Sequence, residues 1–298
     1  MKFFLYCKSY EGDLLRVKRL AKSIHQYNRD DIPFYVSAPE KDLEKFKFEL
    51  SGYAINFVSD EDIVAANPRA SLLEYRSWDG RLSQQVVKSE FWRLTNCETY
   101  LCIDSDDEFI RDFYLTDFLN DYHQPYSVMM QSKDYLQLAI NRGYEKVYSN
   151  FMRESKMVKD QFHREGPDYD FGIPPVIWSA QVWRDLDEKF LKPKSMTLWD
   201  AIKIAPSELR WYGESLLHFK SIPLHPIDSL FRSYHYRWHI QSLKKFGETT
   251  DKLKTLYLGV VWQSNWEYEL DSDNKRQKKS LASRFMRAFK RRIVDLTQ

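Results

Sequence analysis

From Phe3 to Ile110 the chain alternates short apolar runs with amphipathic helical patterns, an order that leaves few folds open. It predicts an α/β domain with a mostly parallel sheet joined by crossover helices. Strands are expected at Phe3–Cys7, Pro33–Ala38, Ala54–Val58 and Thr99–Ile103. Helices are expected at Leu14–Tyr27, Lys41–Leu50 and Ser83–Thr95, the last with Ser83 as its N-cap. The fourth strand runs straight into Asp104-Ser105-Asp106-Asp107-Glu108, which puts an acidic cluster at the carboxyl end of a central strand. Open α/β sheets bind ligands at that end.

With 298 residues, 43% of them hydrophobic, the chain can bury a large core, so disorder is not expected. A formal net charge of +2 gives no whole-chain reason for a nucleic-acid partner. Cys7, Cys97 and Cys102 form no C-x-x-C pair, and reduced, buried thiols in a cytoplasmic protein are expected. The apolar start ends at Cys7-Lys8-Ser9, short of a signal-peptide core. No run approaches the roughly 20 apolar residues of a membrane span, so membrane contact is expected to be peripheral. The alternation fades in the second half, where Pro167–Pro175 is irregular. A division follows: a main domain over 1–270, with a nucleotide-binding half (1–115) and an acceptor half (116–270), then a basic tail over 271–298.

Two carboxylates one residue apart at a strand end offer hard oxygen ligands to Mn2+ or Mg2+, which would neutralise a diphosphate leaving group. A lone D-x-D is equally the pattern of a solvated acidic turn. Its context is more particular: Phe4–Tyr10 with Asp13, the helical Gln84-Gln85-Val86-Val87-Lys88, Tyr100–Asp106, and Trp211-Tyr212-Gly213-Glu214. On these segments the chain resembles the GT-A glycosyltransferases and, more narrowly, uncharacterised bacterial DUF6492-type polysaccharide glycosyltransferases of capsule and lipopolysaccharide synthesis. The resemblance implies a Rossmann-like mixed sheet flanked by helices, a nucleotide-sugar donor, UDP-hexose or UDP-galactofuranose being favoured, and a glycan acceptor, free or polyprenyl-linked.

It also implies roles for individual residues. Lys8, Ser9 and Asp13 follow the first strand, where such enzymes cradle the nucleotide, and Asp60 follows the third. Asp104 and Asp106 would hold the metal, with Ser105 between them at the donor. Gln84 and Lys88 lie four apart on one helical face, able to meet the diphosphate or sugar. An inverting transfer needs a carboxylate base. Glu214 is expected to supply it at a helix start, with the backbone brought close to ligand at Gly213, and Asp170 is the competing base. A later histidine, His235 ahead of His239 and His218, is the candidate third metal ligand. Trp178 is expected either to stack on a sugar ring or to lie in the core.

Residues 275–292 contain nine Lys or Arg and no acid, interleaved with Leu281, Phe285, Met286 and Phe289; with Ile293 these form one helical stripe. A cationic amphipathic helix of this kind suits the anionic inner face of the plasma membrane, each basic residue adding on the order of 1 kcal/mol. Two rivals stand beside the transferase. A haloacid-dehalogenase-like phosphatase also keeps a strand-end D-x-D, but near its chain start and followed by Thr or Val. A sugar-binding protein without catalysis would keep only the fold.

Overall fold

The computed structural model describes residues 2–264, apart from Asn96. The basic helix expected over 275–293 lies outside the described residues. The chain opens with β1 (Phe3–Lys8), α1 (Leu14–Tyr27), β2 (Phe34–Ala38), α2 (Glu40–Glu49), β3 (Ile55–Ser59) and α3 (Asp60–Ala65). Then come α4 (Leu72–Ser77), α5 (Gly80–Thr95), β4 (Thr99–Ile103), β5 (Asp107–Phe109) and β6 (Ser127–Val128). A helical pair follows, α6 (Lys133–Asn141) and α7 (Glu145–Gln161), then β7 (Val176–Ser179), α8 (Ala180–Asp185), α9 (Leu198–Ile204) and α10 (Glu208–Phe219). The described chain closes with β8 (Pro226–Ile227), β9 (Phe231–Ser233), α11 (Arg237–Lys245), α12 (Thr250–Leu253) and β10 (Gly259–Val261).

The main sheet has the order β3-β2-β1-β4-β7. Its first four strands are parallel and β7 runs antiparallel to β4. The expected mixed sheet flanked by helices is therefore present, and β7, from the second half, completes the sheet begun by the first. Successive strand side chains point to opposite faces. Leu5, Cys7, Leu101 and Ile103 join a core with Val17, Leu20 and Phe46, while Tyr6, Tyr100 and Cys102 join one with Phe91, Trp183 and Trp211. Both faces are covered, which is why the strands read as continuous apolar runs. All three cysteines are buried and free. Among the described residues no helix is long and apolar enough to cross a membrane.

One expected boundary moves. Helix α5 begins at Gly80, and Ser83 lies inside it, its hydroxyl donating to the Gly80 carbonyl. Asp79 caps instead, accepting from the Arg81 backbone at 2.8 Å. The wider apolar pattern from Leu82 hid this earlier Asp-Gly start.

Candidate functional site

Asp104, Ser105 and Asp106 leave the carboxyl end of β4 and line a cavity of about 1120 Å3. The loop after β1 contributes Lys8, Ser9 and Asp13 to the same cavity, and α5 contributes Gln84. The acidic turn is held from several directions. Lys88, buried on α5, donates to Asp104 Oδ1 at 2.5 Å. Ser105 donates to Asp13 Oδ2 at 3.3 Å, and Asp13 Oδ1 accepts from the fully buried Arg16 at 2.5 Å. Asp13 therefore lines the cavity and at the same time steadies the turn. From the far end of the chain, the Trp262 backbone donates to the Asp106 carbonyl (3.0 Å) and that of Ser264 to Asp106 Oδ2 (2.5 Å).

Crowding these acids is electrostatically costly. Burial, then the Asp104 charge, pushes Asp106 up to about 6, and burial with both neighbours raises Asp107 well above the usual range. Burial works against the charge of Lys88, but Asp104 and its other anionic neighbours outweigh it and raise that ammonium. A divalent cation beside Asp104 and Asp106 would relieve the excess negative charge, so the residues fit one. Among the described residues no three His, Cys, Asp or Glu side chains gather as a metal site. Two carboxylates, with the remaining positions left to phosphate oxygens and water, is how Mg2+ is usually bound at a phosphate site.

Asp60 is fully buried, not in the cavity; it pairs with Lys8 at 3.4 Å and accepts from Tyr75 at 3.1 Å. It holds the β1 loop through Lys8, so a direct nucleotide contact is not what its position offers. A second cavity, of about 1280 Å3, is lined by Asp170, Ser132, Arg210, Arg232, His235 and His239 among others. Asp170 is tied into place by reciprocal backbone bonds with Met130 (2.9 and 2.7 Å), and its carboxylate accepts from Ser132. Gln263 lines the second cavity and the next residue, Ser264, the first.

Residues 4–274 match DUF6492, described as a family of unknown function. The chain belongs to that family. No curated protein matches the DUF6492 chain. Among solved structures it is similar to mouse xyloside xylosyltransferase 1 in its apo form, with 10% identity, 89% of this chain and 99% of that one covered, and a TM-score of 0.49. It is also similar to the apo WbbM bifunctional glycosyltransferase, at 9% identity over 89% of this chain and 46% of that one, with a TM-score of 0.49. A third likeness is to the galactosyltransferase LgtC in complex with donor and acceptor sugar analogs, at 14% identity over 86% of each chain, TM-score 0.46.

Two expectations for the DUF6492 chain, those for His235 and Glu214, are corrected by its geometry, and a third, left open for Trp178, is decided by it. His235 lies in the second cavity, its ring tilted against that of Tyr135 with centroids 4.3 Å apart, and is not brought to Asp104 and Asp106. Burial chiefly, then His239 and Arg232, lowers its pKa to about 4. Glu214 does not open a helix: α10 starts at Glu208, and Glu214 sits in its middle, buried and bound by Arg164 at 2.5 and 2.7 Å. Trp178 is core, 1% exposed and edge-on to Tyr100 and Trp183. Gly213 is needed not for a ligand but because the Phe171 ring occupies the space a Cβ would fill. Gly213→Ala is accordingly expected to destabilise by about 2 kcal/mol in denaturant unfolding, despite the better helix propensity of Ala.

Sequence reading passed over Arg16 and Glu208. Arg16 lies off the apolar stripe of α1, on a second buried face of that helix that includes Ser23, whose hydroxyl accepts from the Phe109 backbone. Glu208, at the buried start of α10, is raised by burial and steadied by Lys88. A carboxylate opening a helix resembles any dipole-favoured first-turn acid, so it carried no separate signal.

Proposed function

We propose that this protein is a metal-dependent glycosyltransferase that moves a sugar from a nucleotide-sugar, a UDP-hexose or UDP-galactofuranose, to a glycan acceptor. The observation that carries the reading is the pair of strand-end carboxylates, Asp104 and Asp106, opening on the same cavity as Lys8, Ser9 and Gln84. Asp104 and Asp106 hold Mn2+ or Mg2+, and the ion when bound neutralises the charge developing on the departing diphosphate. Arg76 and Arg81 add positive charge around the phosphates beside Lys8, whose own charge Asp60 offsets, and Trp78 offers a stacking face for the base. Residues 1–115 thus serve the donor and residues 116–270 the acceptor, which occupies the second cavity. Capsule or lipopolysaccharide O-antigen synthesis on a polyprenyl-linked acceptor, at the inner face of the plasma membrane, is the setting the family resemblance favours, with the 275–293 segment as the membrane contact.

Asp170 is the base of an inverting transfer. It lines the acceptor cavity, whereas both Glu214 oxygens are taken by Arg164. Burial raises the Asp170 pKa, against the lowering effect of Ser132 and Arg210. A base must be ionised to take the acceptor hydroxyl proton, so activity falls as pH drops through that raised pKa. The acid limb of the kcat/KM profile is expected above the roughly 3.9 of a free aspartate.

Calorimetric titration of UDP, GDP and CMP, each with Mn2+ and with EDTA, tests the donor half. One nucleotide is expected to bind only with metal. Absence of nucleotide binding under every condition would return the phosphatase and sugar-binding readings.

A further inference from the structure

The segment from α11 to Leu256 is anchored by its own small core, in which Ile240 and Leu253 pack with Ile110, Tyr234 and Val260. Its core-facing positions are thus filled. It nevertheless carries Phe246 and Leu256, which are 86% and 77% exposed. A lone exposed apolar residue needs no explanation, but these two share one short segment with four exposed lysines, Lys244, Lys245, Lys252 and Lys254. The acids nearby offset only one of those four charges. Glu248 turns inward to Arg232 (3.2 Å) and Tyr234 (2.7 Å), and Asp251 is matched by Lys254 at 3.1 Å. The fold of the segment is closed, since Lys252 Nζ donates to the Gly247 carbonyl at 2.7 Å, beside Phe246.

We propose that this helical hairpin is a membrane-docking surface for an anionic bilayer, with Phe246 and Leu256 entering the headgroup region and the lysines facing lipid phosphates. The occupant follows from charge complementarity: apolar tips ringed by ammonium groups match an anionic interface. The hairpin also supplies His239 and Tyr257 to the wall of the second cavity. Docking there brings that cavity to the lipid surface, where a lipid-linked acceptor would be presented. This last consequence rests on the glycosyltransferase reading; membrane docking itself does not.

The test is partitioning of the full chain onto vesicles of phosphatidylcholine, with and without phosphatidylglycerol, at low and high salt. Binding is expected only with phosphatidylglycerol, weakening with salt. Phe246→Ser/Leu256→Ser and, separately, Lys244→Glu/Lys245→Glu should each weaken it at least about tenfold while the 275–293 segment remains intact. Nucleotide titration of the same variants reports folding and the donor site independently, and is expected to match wild type. Equal vesicle binding by wild type and both variants, equal binding to neutral vesicles, or no vesicle binding at all overturns the proposal. Self-association without lipid that both variants abolish would overturn it in favour of a second copy of the chain.

Discussion

Asp106→Asn is expected to abolish metal-dependent nucleotide binding and lower kcat/KM by on the order of 10^3-fold or more, with little loss of stability. The amide is nearly isosteric, and its oxygen can still accept from the Ser264 backbone, which holds the turn in the native protein. What it removes is charge at a position where burial and Asp104 already raise the cost of ionisation. The fold loses a repulsion while the site loses one of the two carboxylates proposed to hold a cation. Asp104→Asn should bind nucleotide as poorly but behave differently in unfolding. Lys88 is buried and donates to Asp104, so neutralising its partner strands an ammonium in the interior. A fall in stability of about 3 kcal/mol is expected for Asp104→Asn and not for Asp106→Asn. Metal-dependent nucleotide binding retained by both variants, with unchanged affinity, would refute the metal site.

The parts of the site that a reader of the sequence can find are those built by local pattern. Thr99–Ile103 is a five-residue apolar run with acids directly after it, and its bounds are those of β4. Gln84 and Lys88 share a helical face by spacing alone, and the structure brings one to the cavity and the other to Asp104. What stays hidden is made by tertiary return. The backbone of Ser264 reaches Asp106 across 158 residues, and a main-chain N–H leaves no trace in residue identity. His235 misled, and Trp178 stayed open between two places, for another reason. A histidine or tryptophan in an aromatic-rich sequence is equally suited to a site and to a packed interior, and only the fold decides between them. Gly213 misled because a glycine before an acid suits close approach of the backbone to a ligand, while the actual demand comes from Phe171, remote in sequence.

Glu214→Ala and Asp170→Asn are expected to fail in opposite ways, and the contrast separates support from chemistry. Glu214 is 1% exposed and binds Arg164 through both oxygens; Arg164 in turn lies over the Tyr169 ring at 5.1 Å, next to Asp170 in the chain. The pair therefore fastens the loop that carries Asp170 to the middle of α10. Removing the carboxylate leaves a half-buried guanidinium without its counter-charge, a loss of about 3 kcal/mol, after discounting for the partial exposure of Arg164. In a chain of this size that lowers Tm by roughly 6 °C or more. Adding Arg164→Ala to Glu214→Ala should recover part of the loss, because the stranded charge goes with it. Asp170→Asn keeps the backbone bonds to Met130 and should leave Tm within about 2 °C of wild type, while kcat falls by on the order of 10^2- to 10^4-fold. If instead Glu214→Gln kills turnover at unchanged Tm and Asp170→Asn is active, the base is Glu214. Its pairing with Arg164 would then have to open when acceptor binds.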